Sequence, residues 1–216
     1  IEKIQQQLVS MVMAPDADPW QRVVALQALP SDVAGNLLSE LLRSSGTKVF
    51  GRHASKLGAI LPGQWVMRWK ASNPFPVHGE KGLREVLAMS DQERATNQVL
   101  LSGDSGIVDL KKYGSAHGRS EKCVVALQCV LISPTKREVT IAVGSDDGCI
   151  LKIGDKILVE DFAQQGVDPM RHLVTTTVER GANSVLLLVE NGGGGYGASM
   201  RILDDEIRIA QVGGPQ

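Results

Sequence analysis

Two short stretches carry the residue types that could do chemistry. One is Gly144-Ser145-Asp146-Asp147-Gly148, and the other is Asn191-Gly192-Gly193-Gly194-Gly195-Tyr196-Gly197. Adjacent carboxylates are hard oxygen ligands of the kind calcium takes, and a run of glycines lets backbone approach a ligand or adopt positive φ. Asp146 and Asp147 are therefore the candidate oxygen ligands, with Gly193, Gly194 and Tyr196 in the loop expected beside them. Asp and Gly are also default turn formers, so the same side chains could instead accept backbone N–H bonds and hold their own turns.

Other fingerprints fail on context. Gly192, Gly194 and Gly197 have dinucleotide-binding spacing, but Ala198 to Leu203 alternates as a strand where pyrophosphate needs a helix N-terminus. Gly103-Asp104-Ser105-Gly106 matches a serine-protease nucleophile segment, yet Ile107 follows where the oxyanion glycines belong, and neither His53 nor His78 sits in the required setting. His53, His78, His117 and His172 each stand alone, without zinc spacing. Asp204-Asp205-Glu206 reads as a solvated turn, and Trp20, Trp65 and Trp69 read as core positions rather than sugar-stacking platforms. No nucleophile, base and orienter fall together, so a non-catalytic protein is expected.

These loops need strands to hold them. From Gln64 onward apolar residues alternate with polar ones in about ten short runs, among them Lys122 to Ile132, Glu138 to Val143, Cys149 to Ile153, Asn183 to Val189 and Ala198 to Leu203. Gly, Asp, Asn and Pro separate them, and Gly154-Asp155 reads as a two-residue hairpin turn. Many short strands without long intervening helices indicate a mainly β protein, an antiparallel β-sandwich or jelly roll over residues 64–216. Trp65, Trp69, Val125, Leu127, Val139, Ile141, Leu186 and Leu188 are its expected core. Residues 77 to 97 are polar, with a short helix expected at Gly82 to Met89.

Residues 1–60 repeat at three and four instead. Ile1, Ile4, Leu8 and Val12 mark one helix; Asp18 caps a second that opens on Pro19 and ends at Pro30; Val33, Leu37, Leu38, Leu41 and Leu42 mark a third. A weaker fourth is expected from Lys48 to Leu57. Such an N-terminal helical segment leaves a wide apolar face, to be covered by the sandwich or by a domain outside the sequence.

Composition narrows the partners. Lys plus Arg (23) balances Asp plus Glu (24) in 216 residues and no basic run occurs, so nucleic acid is not an expected partner. No apolar run approaches the roughly 20 residues a membrane span needs, so no membrane insertion is expected. Only 3 cysteines are present; Cys123 and Cys129, six apart along one strand, lie about 20 Å from each other at ~3.3 Å per residue and cannot pair. A link from either to Cys149 stays geometrically open, although buried free thiols are the simpler reading. The chain opens on Ile1 rather than Met, which is read as a processed chain or an excised fragment of a larger protein.

Val139 to Leu203 resembles the sugar-binding β-sandwich related to the protective-antigen and flocculin-type domain, in the version found in large extracytoplasmic proteins of planctomycetes. The resemblance rests on VTIAVGSDDGCILKIGDKIL, on ERGANSVLLLVENGGGGYGASMRILD and on RWKASNPFP (Arg68 to Pro76), and spans about Gln64 to Gln211. It implies a non-catalytic carbohydrate-binding module, attached to other domains of one parent protein and extracytoplasmic. In flocculin-type members paired aspartates and an asparagine hold calcium, which nominates Asp146, Asp147 and Asn191 as metal ligands and calcium as the cofactor. Residues 1–60 look like the end of a HEAT-type repeat. The alternative is a structural spacer joining helical repeats to a catalytic or cytochrome domain.

Overall fold

A computed structural model describes residues 2–45, 49, 63–95, 97–169 and 171–210. Three helices open the chain: α1 (Glu2–Met13), α2 (Pro19–Ala28) and α3 (Ser31–Ser45). The Asp18 carboxylate caps α2, accepting the Trp20 and Gln21 amides at 2.9 and 3.2 Å, with Pro19 in the first turn. The expected fourth helix falls outside the described residues, Val49 excepted.

Among the described residues twelve strands follow, every pairing antiparallel. In order they are β1 (Gln64–Trp65), β2 (Arg68–Ala71), β3 (Gln98–Leu101), β4 (Ile107–Asp109), β5 (Cys123–Ser133), β6 (Arg137–Ser145), β7 (Cys149–Ile153), β8 (Lys156–Asp161), β9 (His172–Val178), β10 (Gly181–Asn191), β11 (Gly197–Ile202) and β12 (Arg208–Ile209). They form two sheets. One runs β1-β11-β6-β9, with β4 also on β11; the other runs β3-β2-β5-β10-β7-β8, with β12 also on β5. The architecture is the expected mainly β, two-sheet antiparallel sandwich.

The core lies between the sheets, where Trp69, Val125, Leu127, Val139, Ile141, Leu187, Val189 and Met200 are buried together. Helices cover both outer faces. Val12, Val23, Leu26, Leu38 and Leu41 of the first three helices pack on Ala142 and Leu173 of the smaller sheet. On the larger sheet, Leu83 and Val86 of α4 (Gly79–Ala88) pack against Val124, Ala126, Ile150, Leu186 and Leu188. Fully burying a side chain of leucine size contributes roughly 1.5–3 kcal/mol, so each face is a substantial core of its own.

Three expected core positions are thereby corrected. Leu186 and Leu188 are buried, but under α4 on the outer face; Val185, Leu187 and Val189 point between the sheets. Trp65 is only half-buried, Met67 is 40% exposed and Val66 is fully buried, the reverse of the expected alternation. The reason is topological: β1 belongs to one sheet and β2 to the other, so the chain crosses the sandwich at Val66-Met67 and the two-residue period breaks there. Trp65 instead lies between Gly106 and the Arg201 guanidinium, which sits 5.2 Å from its ring.

Two short helices, α5 (Asp91–Arg94) and α6 (Leu110–Ala116), complete the fold. All three cysteines are free and buried. Among the described residues no helix is long and apolar enough to cross a membrane.

Candidate functional site

The three residues between β6 and β7 are tied down from several directions. Ser145 Oγ donates to the Asp147 carbonyl at 2.8 Å, the Asp146 amide donates to the Gly197 carbonyl at 2.8 Å, and the Asp147 amide donates to the Gln165 carbonyl at 2.9 Å. Asp147 takes the left-handed conformation, φ +60°, which short polar side chains tolerate better than most. The residue is 6% exposed, and its Oδ2 accepts the Gly192 amide at 2.8 Å. One carboxylate thus joins the Asp-Asp loop to the glycine loop.

The glycine loop begins at a fully buried asparagine. Asn191 Oδ1 accepts the Gly193 amide at 2.9 Å and Nδ2 donates to the Ser120 carbonyl at 2.5 Å, so both ends of the side chain hold backbone. Gly194 is exposed, and its carbonyl accepts from Lys111 Nζ at 2.5 Å. Tyr196 is a core residue, with its hydroxyl donating to the Val189 carbonyl at 2.9 Å. Gly195 leaves room for the Asp146 carboxylate: a Cβ there would lie 2.2 Å from Asp146 Oδ2, and that side chain would have to turn away.

These elements enclose a shallow cleft of about 360 Å³ lined by Asp146, Asp147, Gln164, Gln165, Gly166, Gly193 and Gly195. Of the residues nominated from sequence, Asp146, Asp147 and Gly193 come together in its wall. Asn191, Gly194 and Tyr196 stand behind or beside it, and support the loop. Gln164, Gln165 and Gly166, from the segment after β8, were not legible: a polar Gln-Gln-Gly in a connecting loop has no periodicity or spacing to mark it.

The cleft is oxygen-rich. Burial pushes the Asp146 carboxyl up from its ordinary range, the neighbouring Asp147 charge adds to this, and Lys111 and Arg171 partly offset it. Crowded carboxylates of this kind favour a cation or hydroxyl donors. The residues nominated as calcium ligands are not equally placed. Asp146 and Asp147 share one open wall, whereas the Asn191 oxygen is buried and bonded to Gly193. Among the described residues no three His, Cys, Asp or Glu side chains gather to enclose a metal, so most of the roughly six to eight oxygens calcium takes must come from elsewhere.

The fold and site define a two-sheet β-sandwich module with a loop-borne carboxylate cleft at one end. No family model matches the chain, and none of the curated proteins matches it. Among solved structures, a PA14 sugar-binding domain from an RTX adhesin is 18% identical, with 68% of this chain and 70% of that one covered at a TM-score of 0.33. A family 35 carbohydrate-binding module from an environmental isolate is 17% identical, over 40% of this chain and 71% of that one, at 0.29. A β-glucosidase from Kluyveromyces marxianus in complex with glucose is 12% identical over 64% of this chain, at 0.41, and the chain spans only 16% of that enzyme. Likenesses this distant transfer no ligand, and function has to be read from the cleft.

Proposed function

We propose that this is a carbohydrate-binding module that takes sugar hydroxyls into the Asp146/Asp147 cleft with the assistance of calcium. The reading is carried by Asp146. Its carboxylate lines an open cleft, lifted in pKa by burial and by Asp147, while the carboxylate beside it is anchored to Gly192. Asp146 and Asp147 would hold the ion. When bound, the ion supplies open coordination positions for oxygen ligands, including vicinal hydroxyls. Gln164 and Gln165 bring amide donors and acceptors to the same wall, the groups that orient a polyhydroxylated ligand. Asn191, Gly194 and Tyr196 position the loop. The resemblance to protective-antigen and flocculin-type modules, and an extracytoplasmic setting among other domains of one parent protein, belong to this same proposal.

A second reading is supported by a specific observation. Asp147 Oδ2, both ends of Asn191 and the Tyr196 hydroxyl all satisfy backbone groups, as they would in a module that only spaces helical and catalytic or cytochrome domains. A glycan array run with and without calcium separates the two. The binding reading expects calcium-dependent retention that Asp146→Asn abolishes, together with a rise in melting temperature on adding calcium, about 2.7 kcal/mol of stabilisation at a hundredfold excess over Kd. Blank arrays under both conditions and no thermal shift at millimolar calcium leave the spacer reading in place.

A further inference from the structure

A hydrogen-bonded chain of side chains leads from the open edge of the sandwich into the cleft. It starts where β8, the edge of the larger sheet, faces β9, the edge of the smaller one. His172 Nε2, at the start of β9, lies 2.9 Å from Asp161 Oδ2, at the end of β8. An ionised carboxylate only accepts, so Nε2 is the protonated ring nitrogen. The same Asp161 oxygen accepts from Gln165 Nε2 at 3.2 Å, and Oδ1 accepts the Ala163 amide at 3.0 Å. Both side chains of the pair are mostly buried, 14% exposed for Asp161 and 26% for His172. Hydrogen bonds together with the histidine hold the Asp161 carboxyl below its ordinary range despite the opposing effect of burial, so it stays an acceptor. Gln165 is the turning point. Its side chain is fixed by Asp161, and its carbonyl accepts the amide of Asp147, whose carboxylate in turn holds Gly192.

We propose that Asp161 and His172 are positioning residues for the cleft: they fix Gln165, and through Gln165 the backbone of Asp147. This rests on the cleft being the binding site in so far as affinity is concerned, but the relay has a readout of its own. The geometry makes Asp161 the centre, since one carboxylate accepts from three donors, two in the loop after β8 and one at the start of β9. An asparagine at that position has a single acceptor atom and must present its NH2 either to Ala163 or to Gln165 and His172. A bystander pair closing the sheet edge would change global stability alone; a relay changes Asp147.

The test uses the full chain, with Asp161→Asn, His172→Ala and His172→Gln as variants. Amide hydrogen exchange is followed at Asp147, with Ile141 and Leu187 as core references, and calcium alone is titrated. Exchange at Asp147 is expected to speed up about tenfold in Asp161→Asn and His172→Ala while the references hold, the factor that loss of one hydrogen bond of ordinary strength gives. His172→Gln, which keeps a donor toward Asp161, restores protection. Calcium affinity falls in parallel by a similar factor. Faster exchange at Asp147 with no calcium binding even by the wild type upholds the relay and removes the calcium reading of the cleft. Wild-type calcium binding with Asp147 exchange unchanged in both disrupting variants, or changed only together with the references, overturns the relay and leaves the cleft reading standing.

Discussion

Asp147 joins a left-handed backbone to a buried carboxylate that caps Gly192, and a three-member substitution series separates the two contributions. Asp147→Ala keeps the positive φ, removes the acceptor and leaves the Gly192 amide without its partner, a loss of about 1–3 kcal/mol for a buried donor. Asp147→Gly loses the same bond but relieves the left-handed strain, so it should sit about 1 kcal/mol above the alanine variant. Asp147→Asn keeps an oxygen for Gly192, suits positive φ as well as aspartate does, and removes the charge that raises Asp146, so its cost stays below about 1 kcal/mol. For a chain of this length 1 kcal/mol moves the melting temperature by about 2–4 °C. Asp147→Ala is then expected to melt roughly 2–12 °C below wild type, with glycine between it and asparagine. Thermal and urea unfolding measure this directly. Equal losses for alanine and glycine would show that no backbone strain is held at Asp147, and an asparagine variant as damaged as alanine would remove the carboxylate-to-amide bond as the source of order. The asparagine variant also isolates the charge: folded, with its loop intact, it should show no calcium-induced rise in melting temperature.

Three further outcomes are expected. Leu188→Ala empties a fully buried position beneath α4 and should cost about 2–5 kcal/mol by urea denaturation; a cost under 1 kcal/mol would mean that α4 is not a true cover of the larger sheet. Gly144→Ala places a Cβ 1.8 Å from the Asp168 carbonyl, which forces backbone apart, so a loss of at least about 1–3 kcal/mol with altered amide shifts near Asp168 is expected, and a silent substitution would contradict the seating of that segment on β6. Burial raises the Cys149 thiol to about 11 and pushes Cys129 higher still. Folded-state values above the unfolded one mean that stability is intact below about pH 8.5 and falls as pH rises toward 11, by up to about 1.4 kcal/mol per pH unit for each thiol; a flat alkaline profile, or rapid labelling of either thiol in the native state, would refute the burial.

The strands were legible because turn residues bound their apolar runs: β5, β6, β7 and β11 begin and end within a few residues of where those turns put them. What alternation could not reveal was which side of a strand faced which cover. In β5, β7 and β10 nearly every residue is buried, because the larger sheet has the second sheet on one face and α4 on the other, so Leu186 and Leu187 look alike in sequence and belong to different cores. The helix that creates this ambiguity is itself poorly signalled. It opens at Gly79 behind His78, which makes no capping bond, and it carries Gly82 in its second turn, so it was expected only from Gly82 onward. α6 was missed for the opposite reason, since Leu110 continues a strand-like run. The usable signal was Asp109, whose carboxylate accepts the Lys112 amide at 3.0 Å, followed by Leu110 and Tyr113 at helical spacing.

The site divides along a similar line. Residues that make a turn by their own chemistry could be found in sequence: Asp147 at positive φ, Asn191 folding back on Gly193, glycine where Asp146 passes the backbone. Their chemistry is local, and for Asn191 that is also why a ligand role and a turn role could not be told apart, since one carbonyl oxygen serves either and here it is bonded to Gly193 within a buried side chain. Gln164 and Gln165 belong to the other class. Their place in the cleft comes from a segment that leaves one sheet at Asp161, reaches the Asp147 amide and enters the other sheet at His172. Nothing in a Gln-Gln-Gly stretch requires that path; it follows from which two strands lie at the sheet edges. On the proposed function, substitutions at Gln164 are expected to alter which ligand is retained, substitutions at Gln165 also to loosen the Asp147 backbone that it holds, and substitutions at Asp146 to alter whether any ligand is retained.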